Sequence, residues 1–183
     1  MQWSKLKKHF ETFLADAVKD RVQFYSTAYG TGDSISKSRA WITWDKQEIA
    51  NFSTAKWWQR REELAHQIRA INKTTNWRNP EHREGYYQAR EEAYDIAERE
   101  GFFSRWDFNH ALHSYLELSI EDATQSHDPI VRALSMFDRR LGKRRLRRMR
   151  LEDTEHPLVK QFYQLRCEAE GIGTPEVGNV NSA

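Results

Sequence analysis

One cysteine, Cys167, stands in a chain of 183 residues. That scarcity excludes an internal disulfide and a zinc centre built on several thiolates. No run approaches the roughly eighteen apolar residues of a membrane span. The opening MQWSKLKKHFETF lacks the continuous apolar stretch of a secretory signal. No membrane partner and a reducing, cytoplasmic setting are therefore expected. Catalytic signatures are missing too: no GxSxG elbow seats a nucleophilic serine, no HExxH pair offers a zinc site, and no GxxxxGKS or GxxxxGKT order offers a phosphate loop. GTGDSISKS has the glycines, Ser and Lys of such a loop but lies between two expected strands, so it reads as a hairpin connection around Gly30 and Gly32. With no internal repeat and no composition break, residues 1–171 read as one α+β domain and 172–183 as a flexible tail. No cofactor is implied.

What the chain does have is aromatic bulk. Trp, Tyr and Phe supply 13% of the residues against 38% hydrophobic residues in all, so large rings packed among Leu and Ile are expected to build the core. Trp3, Leu6, Phe10, Phe13, Leu14, Ala17 and Val18 recur every three or four residues and predict a first helix. At RVQFYSTAY the period changes to two. Ala40, Ile42 and Trp44 alternate in the same way before Asp45-Lys46, the place for a tight reversal into a third strand. One face of this sheet carries Tyr25 and Trp41, either covered by a helix or exposed, with cover the favoured reading.

Helical spacing resumes at Trp57, Leu64, Ile68 and Ile71, with Trp58 and Ala65 widening the stripe. Pro80 opens a helix that Gly101 ends, and its inner face uses Tyr86, Ala89, Ala93, Ile96 and Ala97. Ser104 with Asp107, and Ser119 with Asp122, have capping-box spacing. DPIVRALSMFDRRLGKRRLRRM reads as one helical region in which Gly142 marks a kink or a close helix crossing, and Pro157 opens a last helix that Gly171 terminates, with His156 serving its start. The expected architecture is a small antiparallel three-stranded sheet packed by several helices, with a helix-rich C-terminal two-thirds.

The net charge of +2 conceals a local excess. Arg139, Arg140, Lys143, Arg144, Arg145, Arg147, Arg148 and Arg150 crowd into one stretch, while the remaining chain carries 21 basic and 27 acidic residues. On a helix, Arg140, Lys143, Arg144, Arg147 and Arg148 form a broad face suited to successive phosphates. Arginine also pairs bidentately with carboxylates, and Glu91, Glu92, Asp95, Glu98 and Glu100 are candidate partners, within the chain or across a homo-oligomer.

Three smaller constellations remain. Asp107, His110, His113 and Glu117 fall along one side of a helix and are weak metal candidates for a metal-assisted hydrolase; a solvated polar face explains them as well. Cys167 beside Arg166 reads as a buried structural thiol. Trp41, or Trp77 beside Arg78, offers a ring on which a base stacks if it is exposed.

RAWITWDKQEIANF, FFSRWDFNHALHSYLELSIEDA, ALSMFDRRLGKRRL and FYQLRCEAEG together resemble a family of small, uncharacterised conserved bacterial proteins, over Met1 to about Gly171. DRRLGKRRL and LRCEAE in this order carry most of the likeness. The resemblance implies a bacterial cytoplasmic protein and brings no activity, ligand or catalytic residue with it. The leading expectation is a noncatalytic binding protein that contacts nucleic acid, another polyanion or an acidic protein surface.

Overall fold

The computed structural model describes residues 2–28 and 37–173. Most of GTGDSISKS, and the expected tail from residue 174 onward, lie outside the described residues. The chain is α+β and divides into two compact units, one of Val22–Leu112 and one of Met1–Arg21 with His113–Ala183.

In the unit Val22–Leu112, β1 (Val22–Thr27), β2 (Arg39–Trp44) and β3 (Gln47–Ser53) form an antiparallel sheet in the order β1-β2-β3. The reversal falls where the sequence places it. Asp45 and Lys46 both take positive φ, 49° and 69°, which gives a two-residue loop the twist of the flanking strands. Alternation buries Phe24, Ala40, Ile42 and Phe52 on one face, where Phe52 stacks on Phe108 with centroids 4.5 Å apart. On the other face Tyr25 and Trp41 are cross-strand partners and half-buried.

α2 (Thr54–Ile71) and α3 (Pro80–Arg99) pack together through Leu64, Ala65, Ala93 and Ala97. The alanines recur every four residues, so α3 presents a flat stripe on which α2 can lie close. Asn79 caps α3 by accepting from the Glu81 N–H at 3.0 Å, Pro80 occupies the first turn, and Gly101 takes φ 86° beyond the end. Arg60 bonds Glu100 through two nitrogens, at 2.7 and 2.8 Å. Ser104 and Asp107 form a reciprocal cap: the Asp107 carboxylate accepts from the Ser104 N–H at 2.7 Å, and the Ser104 hydroxyl accepts from the Asp107 N–H at 3.3 Å. They start α4 (Arg105–Glu117), within which the boundary between the units falls.

In the other unit, α1 (Trp3–Glu11) is shorter than its apolar period predicts. The Thr12 hydroxyl donates to the His9 carbonyl at 2.7 Å, and Leu14 leaves the helical path to form a β-bridge with Asp138. α5 (Ile120–Thr124), α6 (Pro129–Ser135), α7 (Lys143–Arg148) and α8 (Pro157–Ala169) follow. His156 accepts from the Leu158 N–H through Nδ1 at 3.1 Å, the role at the helix start read from its place before Pro157. Phe10, Tyr115, Leu134, Phe137, Leu146 and Phe162 are buried to 1% exposure or less and form the core.

The single helical region expected over 129–149 is interrupted. Residues 136–142 leave the helix because the Arg139 N–H donates to the Phe13 carbonyl at 2.7 Å and the Phe137 carbonyl accepts from the Ala15 N–H at 2.9 Å. Gly142 is neither a kink nor a crossing point. It precedes α7 in an extended conformation, and a Cβ there would meet nothing within 4 Å.

Candidate functional site

The interrupted segment sorts the basic residues into two groups. Asp138 is buried at 1% exposure, and its carboxylate needs donors because an unpaired buried charge is costly. One oxygen accepts from the Arg140 N–H at 2.6 Å; the other accepts from the Tyr115 hydroxyl and from Arg140 Nε and Nη2 at 2.9 and 2.8 Å. Arg140 also donates to the Leu118 carbonyl at 3.2 Å and lies over the Phe13 ring. Burial and the neighbouring Asp138 push the Tyr115 phenol well above its ordinary value, and the Asp138 carboxylate raises Arg140.

Beneath this loop lies Arg166 of α8, only 2% exposed. It donates to the carbonyls of Phe137 at 3.0 Å and Leu141 at 3.4 Å and pairs with Glu170 at 3.0 Å. Burial pulls its guanidinium below the usual range and raises the adjacent Cys167 thiol. Glu170 in turn holds Lys143 at 2.8 Å. The two most distinctive stretches, DRRLGKRRL and LRCEAE, thus meet in space. Their contacts fold the loop that carries α7.

α7 sits on this base through Leu146, fully buried, whose carbonyl accepts from the Tyr163 hydroxyl at 3.1 Å. With about 100° per residue, Arg144 and Arg148 point within about 20° of the direction opposite Leu146, while Arg145 and Arg147 flank them. Arg145 pairs with Glu121 at 2.6 Å. Arg144, Arg147 and Arg148 are exposed and form no ion pair among the described residues. Beside them lies an open groove of about 370 Å³ whose walls include Leu141, Met149, Gln125, Arg145 and Arg148.

The carboxylates that hold the basic segment are therefore Asp138, Glu121 and Glu170. Glu100, one of the acids expected to do so, pairs with Arg60 instead. Nothing in the sequence separates the internally bonded Arg140 and Lys143 from Arg144, Arg147 and Arg148; the break at 136–142, which turns Asp138 onto Arg140, and Glu170, which reaches Lys143, do so.

The other candidate residues are placed apart. Trp41 stands with its ring stacked on Tyr25 at 4.9 Å and with the Arg39 guanidinium 4.2 Å from its centroid. Trp77 is 48% exposed, with Arg78 5.3 Å from its centroid. Asp107 is engaged in the cap of α4, and His110, His113 and Glu117 are exposed on that helix. Among the described residues no group of three or more His, Cys, Asp or Glu is placed to hold a metal ion. Cys167 is buried. Among the described residues no helix is long and apolar enough to cross a membrane.

Sequence reading missed a second surface. Trp58, assigned above to the inner stripe of α2, is 52% exposed, and Tyr87 of α3 is 49% exposed. The Arg61 guanidinium lies 4.6 Å from the Trp57 centroid and 5.6 Å from that of Trp58. The signal was available in the five-residue stretch Trp57-Trp58-Gln59-Arg60-Arg61, since adjacent tryptophans on a helix cannot both face the same core.

The family model of the SF0329 protein family matches residues 2–167, and the chain belongs to that family. No curated protein and no solved structure matches it.

Proposed function

For this member of the SF0329 family we propose a noncatalytic role in binding nucleic acid, with Arg144, Arg147 and Arg148 of α7 as the phosphate-contacting residues. The observation that carries this reading is the division of the basic segment: Arg140, Lys143 and Arg145 are neutralised by Asp138, Glu170 and Glu121, whereas these three arginines project away from the core without a carboxylate among the described residues. Exposed guanidinium groups on adjacent helical turns suit phosphate oxygens along a nucleic-acid backbone. The network beneath them fixes the helix that presents them. A bacterial cytoplasm fits this reading, since nucleic acid is present there and a free thiol such as Cys167 stays reduced.

The test is a fluorescence-anisotropy titration of RNA and DNA oligomers at two salt concentrations, using protein stripped of copurifying nucleic acid. Three neutralised duplex phosphates give a slope of log affinity against log salt of about −2.7. Arg147→Ala should make the slope shallower by about 1. The double variant R144E/R147E should weaken binding at least about tenfold while keeping the wild-type circular dichroism spectrum. Unchanged affinity in the folded double variant overturns the assignment.

A further inference from the structure

The groove beside α7 is left unused by the phosphate contacts. It encloses about 370 Å³, a small volume among ligand sites, and all of its lining belongs to one unit of the chain. The turn of α7 sets its place. At about 100° per residue, Met149, Arg145 and Arg148 follow one another from the buried Leu146 up one flank of the helix, and Arg147 falls on the other flank. Arg144 stands beside Arg148 on the ridge between them. The end of α5 supplies the other wall, and the Glu121–Arg145 ion pair at 2.6 Å joins the two walls.

Leu141, only 2% exposed, and the half-buried Met149 give the groove apolar surface, and a thioether makes favourable contacts with flat rings. On the α5 wall the Thr124 hydroxyl donates to the Glu121 carbonyl at 2.9 Å. The Gln125 side chain is exposed there, and its amide has no hydrogen-bond partner among the described residues. An amide both donates and accepts, as does the edge of a nucleic-acid base. The charges in the lining are Glu121 and Arg145, which neutralise each other, and Arg148, which forms no ion pair among the described residues. An occupant that suits the groove is flat, neutral and polar at its edge, and is attached to an anion that reaches Arg148. A lone anion leaves the apolar surface uncovered, and an apolar protein segment leaves Arg148 without a counter-charge.

We infer that this groove takes one unpaired base of a single-stranded nucleic acid whose phosphates run along Arg144 and Arg148. This rests on the nucleic-acid reading of α7 and names the form of nucleic acid that α7 takes. Arg144 and Arg148 are four residues apart, about 6 Å along the helix axis, so they can hold neighbouring phosphates. Arg148 belongs to both the ridge and the groove. The nucleotide whose phosphate it holds is therefore the one whose base lies against Leu141 and Met149, with Gln125 at the base edge. In a duplex that base is paired and stacked between its neighbours, so its ring faces are closed to the groove. Proteins that read single strands splay bases onto a side-chain surface while cations hold the backbone.

Anisotropy titrations of the full chain with three probes of equal length test it: a single-stranded oligomer, its duplex, and an abasic strand that keeps every phosphate and lacks every base. The single strand should bind at least about fivefold more tightly than the abasic strand, through the apolar surface that one base covers. Met149→Ala and Gln125→Ala should each weaken single-strand binding about threefold. Both variants should leave duplex affinity and the salt slope as they are, because the slope counts phosphates alone. Circular dichroism checks the fold, and Gln125→Ala, at an exposed position, carries the test if Met149→Ala fails to fold. An abasic strand bound as tightly as the single strand overturns the inference, as do folded groove variants that bind the single strand like wild type. In either case the loss in R144E/R147E persists and the phosphate reading stands. Absence of salt-sensitive binding to all three probes overturns both.

Discussion

The Tyr115 hydroxyl donates to the buried Asp138 carboxylate, on the same oxygen that accepts from the Arg140 guanidinium. A ring of the core, a loop carboxylate and the first of the clustered arginines to be internally bonded are thereby joined. Because Asp138 also accepts from the Arg140 N–H, it sets the course of the chain between α6 and α7. A change at this carboxylate is felt in the fold before it is felt at the arginine face.

Removing the carboxylate should therefore be severe. Asp138→Ala leaves Arg140 half-buried and unpaired and the Tyr115 hydroxyl without its acceptor, a loss of about 3–5 kcal/mol. Tyr115→Phe deletes one donor and leaves the ion pair in place, so about 1–2 kcal/mol is expected. Urea denaturation of both single variants and the double variant gives the coupling. The double variant should lose less than the sum of the two. Additive losses would show that the two groups do not act through their mutual bond.

Stability should decline in alkaline solution, and the sign follows from the protons each state retains. Burial raises the Cys167 thiol, pushes the Tyr163 phenol up to about 12, and with Asp138 raises Tyr115 further still. The folded protein keeps these protons to higher pH than the unfolded chain, whose thiol ionises near pH 8.5 and phenols near pH 10. Their contribution is fully present below about pH 8.5 and is lost as pH rises through the raised folded values. Thermal melts between neutral pH and about pH 11 should show a falling midpoint above about pH 9. Tyr115→Phe should make that fall shallower.

The legible parts of this fold are those in which local chemistry decides. Asp45-Lys46, Pro80, Ser104 with Asp107, and His156-Pro157 each act within a few residues, and their hydrogen bonds, backbone angles or places in the first helical turn lie where the sequence puts them. The break at 136–142 was hidden because Phe13 and Ala15, more than a hundred residues away, supply the backbone groups that replace the helical bonds. The division of the arginines was hidden for the same reason. Lys143 and Arg144 look equivalent in sequence, yet Glu170 finds only Lys143. Trp58 lies outside the core because neighbouring helical positions diverge by about 100°, and Trp57 takes the half-buried position beside Tyr94.

Gly85 offers a test of packing in which two opposed effects can be separated. It lies inside α3, where alanine would ordinarily stabilise by about 1 kcal/mol through helix propensity. A Cβ at this position would stand 2.7 Å from Thr74 Cγ2 and 3.4 Å from Thr74 Cβ, so Thr74 must turn about χ1 or the loop between α2 and α3 must shift to admit it. Gly85→Ala should consequently be destabilising by about 1 kcal/mol, since overpacking costs about 1–3 kcal/mol and outweighs the propensity gain. Thr74→Ser removes the offending Cγ2 and leaves the hydroxyl. The double variant G85A/T74S should then recover the propensity gain and melt above the T74S single variant. A Gly85→Ala chain more stable than wild type would mean that Thr74 or its loop yields freely, and that α3 is held by its alanine stripe without help from Thr74.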